Sequence, residues 1–374
     1  MRLLILALYP DPQPSSRFRV YQYLPYLEES EIEYVVRPAV PAWLFERLYQ
    51  SRSAWRQRAY TVIEALFRTA QILTAWQYDV VFLQKAVTGT YLRGLAPLLF
   101  MLNGTVIYDF DDAVQYGPPS VLPWPLSSFQ DTGQVSWIIR RSAAVIAGNE
   151  YLADFARTLN RNVSMIPTSV SMAREEAAQQ RDEDLSEKPV IVVGWSGGRG
   201  TNAYLNAFAP VLEELYKRDR RFCLKIVSSD LHGIELSRFR NIPVFFEKWS
   251  LSREARLISS FDIGIMPLDD DKWSMGKCGL KLLLYMSLGV PVVASPVGVN
   301  ADMIEDGLNG FLAKTQEQWV EAICRLAVDQ HLRTLFVREG FKTVHRSYAL
   351  EDNVIRFLTV LHDVYTGMLK EVSG

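Results

Sequence analysis

With 374 residues, 49% of them hydrophobic and 22% charged, the chain is long enough for two or three domains with filled cores. A formal net charge of -2 gives no reason to expect nucleic acid as a partner. Cys223, Cys278 and Cys324 stand in three separate segments, which indicates neither a disulfide framework nor a cysteine metal site and points to a reducing compartment.

The chain opens on LLILALY, an apolar run followed by the polar turn DPQPSSR rather than by a small-residue cleavage site, so Leu3 to Leu8 reads as a buried strand and not as a signal peptide. No run reaches the ~18 apolar residues of a membrane span; the longest candidate, Gly94 to Leu102, is a core segment. A helix beginning near Ser16 carries Arg17 and Arg19, candidates for an anionic acceptor group, and Glu33 to Arg37 is a second strand. Residues 41–78 form a long helical stretch in which Arg47, Arg52, Arg56, Arg58 and Arg68 are interleaved with Trp43, Phe45, Tyr49, Trp55 and Tyr60. Such a basic, aromatic helix suits an anionic membrane surface, and it equally suits two helices packed on a sheet.

Asp79 to Leu83 and Thr105 to Tyr108 read as further parallel strands, the second leading straight into Asp109, Asp111 and Asp112. Carboxylates at a strand's end can act as a general base, hold substrate hydroxyls, bind a metal, or cap a helix. Ala143 to Ala147 is another strand, followed by a helix. The segment from Ser171 to Lys188 is charged and almost free of apolar residues, the best domain boundary in the chain.

The second half repeats the pattern. Val190 to Gly194 is a buried strand, and the loop Ser196, Gly197, Gly198, Arg199 to Thr201 opens a helix, an arrangement that brings backbone N–H groups to a phosphate. The glycines lack the GxGxxG spacing of a dinucleotide site, which makes a dehydrogenase the weakest reading. Leu224 to Ser228 and Val244 to Phe246 are strands. Ile263 to Met266, a helix from Ser274 to Leu288 and Val290 to Ala294 form a strand–helix–strand unit, and helices follow at Glu317 to Asp329 and His331 to Glu339. The last helix, Asp352 to Lys370, has no strand near it in sequence and is expected to cross back to the first half. These elements predict an α/β chain of two Rossmann-like halves.

Five blocks in order then carry a resemblance: RFRVYQYLPYL (Arg17 to Leu27), DFDDA (Asp109 to Ala113), AGNEYLADFA (Ala147 to Ala156), GWSGGRGTNAYL (Gly194 to Leu205) and GKCGLKLLLYMSLGVPVVASPVGVN (Gly276 to Asn300), with EDGLNGFLA behind the last. The chain resembles glycosyltransferase family 4, nucleotide-sugar-dependent enzymes of GT-B fold. The resemblance implies two Rossmann-like domains with parallel sheets facing a central cleft. An acceptor domain would span 1–172 with the terminal helix 352–374, and a donor domain 187–351. It implies a nucleotide-diphosphate sugar as donor and a glycan or lipid-linked acceptor, with retention of stereochemistry and neither metal nor cofactor. The setting it implies is cell-envelope or exported-polysaccharide synthesis, in the cytoplasm or on the inner face of the membrane through residues 41–78.

Donor-binding residues by this resemblance are Ser196, Gly197, Gly198, Arg199, Gly276, Lys277, Lys281 and Gly298. Such enzymes often carry two glutamates in the last block, the second gripping the ribose; the corresponding positions here are Gly276 and Leu284. Many also place a histidine in the first domain, whereas His232, His331, His345 and His362 all lie beyond the linker. Asp109, Asp111 and Asp112 are the natural catalytic substitute. Two other readings stay open: a metal held by these aspartates or by Asp269, Asp270 and Asp271, and a non-catalytic sugar-nucleotide or glycan binder, which Leu284 motivates.

Overall fold

The computed structural model describes residues 1–49, 53–117, 126–171, 185 and 188–368. Most of the charged boundary segment, together with Arg52, lies outside the described residues. The chain forms two compact units, one of Met1–Thr168, Gly276–Cys278 and Glu351–Gly374, the other of Ser169–Met275 and Gly279–Leu350.

Unit 1 holds a six-stranded parallel sheet of β1 (Arg2–Ala7), β2 (Glu33–Pro38), β3 (Val80–Gln84), β4 (Val106–Phe110), β5 (Ala144–Ala147) and β6 (Val163–Met165), in the order β2-β1-β3-β4-β5-β6. The strands β1, β3 and β4 are apolar along most of their length and buried on both faces, because helices cover the two sides of a parallel sheet. Chain order reverses between β1 and β3, so the loops leaving those two strands diverge and open a crevice at their carboxyl ends. The terminal helix Leu350–Thr366 buries Val354, Phe357, Leu361 and Val364 at helical spacing. Its Phe357 ring packs on Phe82 of β3 and on Tyr23, as expected of a helix returning to the first half.

Unit 2 holds β7 (Ile191–Ser196), β8 (Phe222–Ser228), β9 (Val244–Lys248), β10 (Ile263–Met266), β11 (Val292–Ala294) and β12 (Phe311–Leu312), parallel and ordered β12-β11-β10-β7-β8-β9. This is the doubly wound order, with its reversal between β7 and β10.

Two expectations change. The helix expected from Ser274 to Leu288 is broken into Lys272–Met275 and Leu280–Ser287. Gly279 sits at φ +69°, a left-handed conformation in which glycine carries no steric penalty, and the Gly276–Cys278 tripeptide leaves the helical path to join unit 1. Residues 41–78, read as one long helical stretch, divide as in the two-helix alternative. They fold as helices Ala42–Leu48 and Ala54–Ile72 with a short turn at Ala75–Gln77, and Phe45, Tyr60, Glu64 and Arg68 are buried. The buried guanidinium of Arg68 donates to the carbonyls of Val87 and Ala7, both at 2.7 Å. Trp43, Trp55, Arg47, Arg56 and Arg58 face solvent.

Arg19 ends the helix Pro14–Arg19 inside unit 1 with its side chain 2% exposed. Its Nε donates to both carboxylate oxygens of Asp109, at 3.1 and 3.2 Å, Nη2 adds a further bond to Oδ1, and Nη1 donates to the Ile166 carbonyl at 2.7 Å. Burial pushes the Asp109 carboxyl up to about 6, against the pull of Arg19. Removing one partner leaves the other charge stranded, so Arg19→Met should cost ~3–5 kcal/mol near neutral pH. Without Arg19 the folded-state pKa of Asp109 rises further above its unfolded value, so the folded form binds more protons and stability falls as pH rises. Urea unfolding at pH 5 and pH 8 checks this: the loss should be larger at pH 8. A loss below ~1 kcal/mol at both, the range of exposed pairs, would contradict a buried role.

Candidate functional site

At the crevice of unit 1 the carboxyl ends of β1, β3 and β4 bring together side chains from five parts of the sequence. Gln84, the last residue of β3, accepts on Oε1 from the Leu8 amide at 3.1 Å and from the Ser16 hydroxyl at 2.9 Å, which fixes the turn leaving β1. Its Nε2 donates to the Ser15 hydroxyl at 3.1 Å, and that hydroxyl donates to the Asp111 carboxylate at 3.1 and 3.2 Å from its two oxygens. Lys85 follows, with its ammonium 3.5 Å from Asp111 and bonded directly to Asp112. Lys277 donates to the other oxygen of Asp112 at 2.8 Å, Asn149 donates to the Lys277 carbonyl at 3.0 Å, and the Cys278 thiol donates to the Asp111 carbonyl at 3.2 Å.

The cluster is alternately charged and mostly closed to water: the side chains of Lys85, Asp111, Asp112 and Lys277 are 7%, 13%, 18% and 17% exposed. Burial alone would push the Asp112 carboxyl up, but Lys277 and Lys85 outweigh it and hold Asp112 well below the usual carboxylate range. The same exchange holds Lys85 charged: burial pulls it down, and Asp111 and Asp112 raise it above an ordinary lysine. A carboxylate so stabilised is a weak proton acceptor and a strong fixed negative charge. It suits holding a hydroxyl or a developing positive charge better than abstracting a proton.

The aspartates expected together therefore divide. Asp111 and Asp112 reach the crevice, whereas Asp109 is spent on Arg19 behind it. Arg17 is likewise buried, its guanidinium 4.2 Å from the Phe18 ring centroid. Ser15, Gln84 and Lys85 belong to the cluster without having been singled out from sequence. The signal was available for Lys85: a polar Gln–Lys pair directly behind the apolar run VVFL marks a strand end, just as DFDD does.

In unit 2 the loop after β7 brings together Ser196, Gly197, Gly198 and Arg199. The Ser196 amide donates to the Tyr285 hydroxyl at 2.8 Å and the Gly197 amide to the Val227 carbonyl at 3.1 Å. A Cβ on Gly197 would lie 2.3 Å from the buried Trp195 ring, so only glycine lets the chain turn there. Arg199–Thr201 is a single turn of 3₁₀-helix, and Arg199 donates to Asp230 at 2.7 Å, both about a third exposed. Lys281 sets its ammonium 4.8 Å from the Trp195 ring centroid, which joins it to this loop through a cation–π contact. Gly298 lies apart, in the turn after β11 at φ +53°, against the Met275 backbone. Gly276 and Lys277 group with unit 1, where a Cβ on Gly276 would fall 2.5 Å from that of Ala113. Leu284 is buried in the helix Leu280–Ser287. Among the described residues no three His, Cys, Asp or Glu side chains converge as metal ligands.

Residues 187–329 match the family model described as glycosyl transferases group 1. No curated protein matches the chain by sequence. Solved structures share its fold along almost its whole length. The Anabaena protein HepE, crystallised with UDP-glucose, superposes with a TM-score of 0.67 at 15% identity over 97% of this chain and 100% of its own. Sucrose-phosphate synthase from Thermosynechococcus elongatus gives 0.66 at 12% identity over 98% and 100%. A glycosyltransferase from Rickettsia africae gives 0.63 at 13% over 99% of each chain. The second unit thus carries a segment that matches the glycosyl transferases group 1 model, and the two doubly wound parallel sheets share the GT-B fold of these solved structures.

Proposed function

We propose that unit 2 holds a nucleoside-diphosphate sugar and that the enzyme passes the sugar to a glycan or lipid-linked acceptor bound by unit 1. The observation that carries the reading is the Ser196–Arg199 loop, which leaves β7 at the sheet's reversal point and sits inside the family-matched segment. A diphosphate leaving group gains negative charge as the glycosidic bond breaks, and Arg199 and Lys281 supply fixed positive charge without a metal. That HepE was crystallised with UDP and with UDP-glucose supports a nucleotide-sugar donor. Retention of stereochemistry and a role in cell-envelope or exported-polysaccharide synthesis follow the family resemblance.

In unit 1, Asp111 and Asp112 hold the acceptor hydroxyl or face the positive charge that develops on the transferred sugar. A thermal-shift screen with UDP, GDP, ADP, dTDP and their sugars should pick out one base, because a ligand that binds the folded state raises its apparent stability. With that donor, transfer should persist in EDTA. Asp111→Asn and Asp112→Asn should each lower kcat by roughly 10²-fold, the scale of a lost electrostatic contact in a transition state, when assayed well below the melting temperature, which Asp112→Asn should also lower because it removes the partner of the buried Lys85. Unchanged turnover in both variants would remove the aspartates from the chemistry.

The acceptor side also favours a membrane surface. Trp43, Trp55 and Trp76 are 64–65% exposed, and Leu66 and Met101 are 66% and 75% exposed, on helices that pack against one another. Arg47, Arg56 and Arg58 are exposed on the same helices, a basic and aromatic mixture that suits an anionic membrane surface. Among the described residues no helix is long and apolar enough to cross a membrane, so contact would be peripheral. In flotation assays the protein should rise with phosphatidylglycerol-containing vesicles and not with phosphatidylcholine alone. A W43A/W55A/W76A variant should bind at least roughly tenfold more weakly, since burying one large apolar side chain is worth more than 1.4 kcal/mol. Equal flotation with both lipids, or none, would count against this face.

A further inference from the structure

Lys85 is the strained member of the acid cluster. Its φ is +69°, in the left-handed region, where a Cβ crowds the neighbouring carbonyl oxygen. Its own amide donates to the Asp109 carbonyl at 2.6 Å, and the Ala86 amide donates back to the Gln84 carbonyl at 2.9 Å. A hydrogen bond from residue i+2 to residue i around a positive φ is the rare, strained form of γ-turn. Such strain persists only where the surroundings over-determine it, and it gathers at functional sites.

The surroundings do so here with buried groups. The Tyr108 hydroxyl donates to the Lys85 carbonyl at 2.7 Å. Two residues on, Arg68 donates to the Val87 carbonyl at 2.7 Å, and the Gly89 amide donates to the Glu64 carboxylate at 3.0 Å. The loop is thus bolted to the helix Ala54–Ile72 on one side and to β4 on the other. An extended residue would stand its side chain off one face of the sheet. The left-handed turn instead brings the ammonium to Asp111, Asp112 and the Ser15 hydroxyl.

We propose that Lys85 is a positioning residue of the glycosyl-transfer site: the braced left-handed turn presses its ammonium against Asp111 and Asp112 and so fixes their orientation and charge. The role in transfer rests on the reading that these two aspartates face the reacting sugar or acceptor; the electrostatic part does not. The groups that face Asp112 are Lys85, Lys277, Asp111 and Tyr91, with the Arg19–Asp109 pair and the Cys278 thiol next to Asp111. Lys85 and Lys277 are the cations bonded to Asp112.

The test uses the full-length enzyme and the variants Lys85→Met, Lys85→Arg and Tyr108→Phe. Carboxyl ¹³C NMR of Asp112 needs no substrate. Removing the ammonium takes away a charge that favours the ionised form, so in K85M the Asp112 midpoint should move upward by at least about one unit, the scale of a close charge pair. In transfer assays K85M should lose kcat by roughly 10²-fold with donor KM nearly unchanged, and the acid limb of its pH profile should shift upward with the NMR midpoint. K85R, which keeps the charge, should restore most of the rate and a low midpoint. Y108F leaves every charge in place but frees the Lys85 carbonyl; it should lose part of kcat and raise the midpoint, and it carries the test if K85M does not fold. An Asp112 midpoint that stays put in K85M or, failing that, in Y108F overturns the proposal. A kcat and pH profile that stay put in an active enzyme do the same. If no nucleotide sugar proves to be a donor, the functional reading fails while the NMR arm still decides whether Lys85 sets the charge of Asp112.

Discussion

Burying charge at the ends of a parallel sheet is the constraint on which unit 1 depends. Three carboxylates and three cations stand at or behind the carboxyl ends of β1, β3 and β4, where effective dielectric screening is weak and an unpaired charge costs several kcal/mol. The sheet resolves this by distance from the crevice. Arg19 and Asp109, at the back, saturate one another and the Ile166 carbonyl, so they act as framework. Lys85, Asp111, Asp112 and Lys277, nearer the front, form a chain in which each charge has neighbours of the other sign and some exposure remains. On the proposed reading, a sugar or acceptor entering this cluster would meet charges already held in place.

Unit 2 answers the same topological opportunity differently. At its reversal point the loop after β7 carries glycines rather than a carboxylate cluster, and Arg199 and Lys281 there contact a carboxylate about a third exposed and an aromatic face. Those restraints are weaker than the buried pairs of unit 1. On the proposed reading Arg199 and Lys281 meet the anionic diphosphate of the donor, whereas Lys85 and Lys277 of unit 1 meet carboxylates of the chain itself. The two halves share an architecture and differ in the chemistry gathered at their strand ends.

What was legible in the sequence follows from how local each signal is. Strands buried on both faces, such as LLILAL and IGIM, announce themselves through continuous apolar runs, and the returning helix through the spacing of Val354, Phe357, Leu361 and Val364. The edge strands β6 and β12, only three and two residues long, carry no comparable pattern and were not foreseen. The candidate site was legible as a set of strand ends and much less as a set of partners. Arg19 and Asp109 are separated by 90 positions, so nothing local says that they consume one another. Arg68 reads as one more surface arginine on a basic helix, yet it is buried because two carbonyls at strand and loop ends need a donor. Lys85 was visible only to the argument already applied to Asp109, Asp111 and Asp112.

The broken helix shows how a small feature redistributes chemistry. Lys277 and Lys281 are four residues apart, the spacing at which two side chains share one helix face. Had the helix run unbroken from Lys272, both ammonium groups would lie side by side and repel. Gly279, left-handed at φ +69°, and Gly276, without a Cβ where Ala113 stands, take the intervening turn out of the helix. Lys277 is thereby carried to Asp112 in unit 1, while Lys281 stays on the resumed helix beside Trp195 in unit 2. Two like charges that a continuous helix would have placed in conflict each gain a partner of complementary character, and the segment that most strongly marks the family contributes to both units.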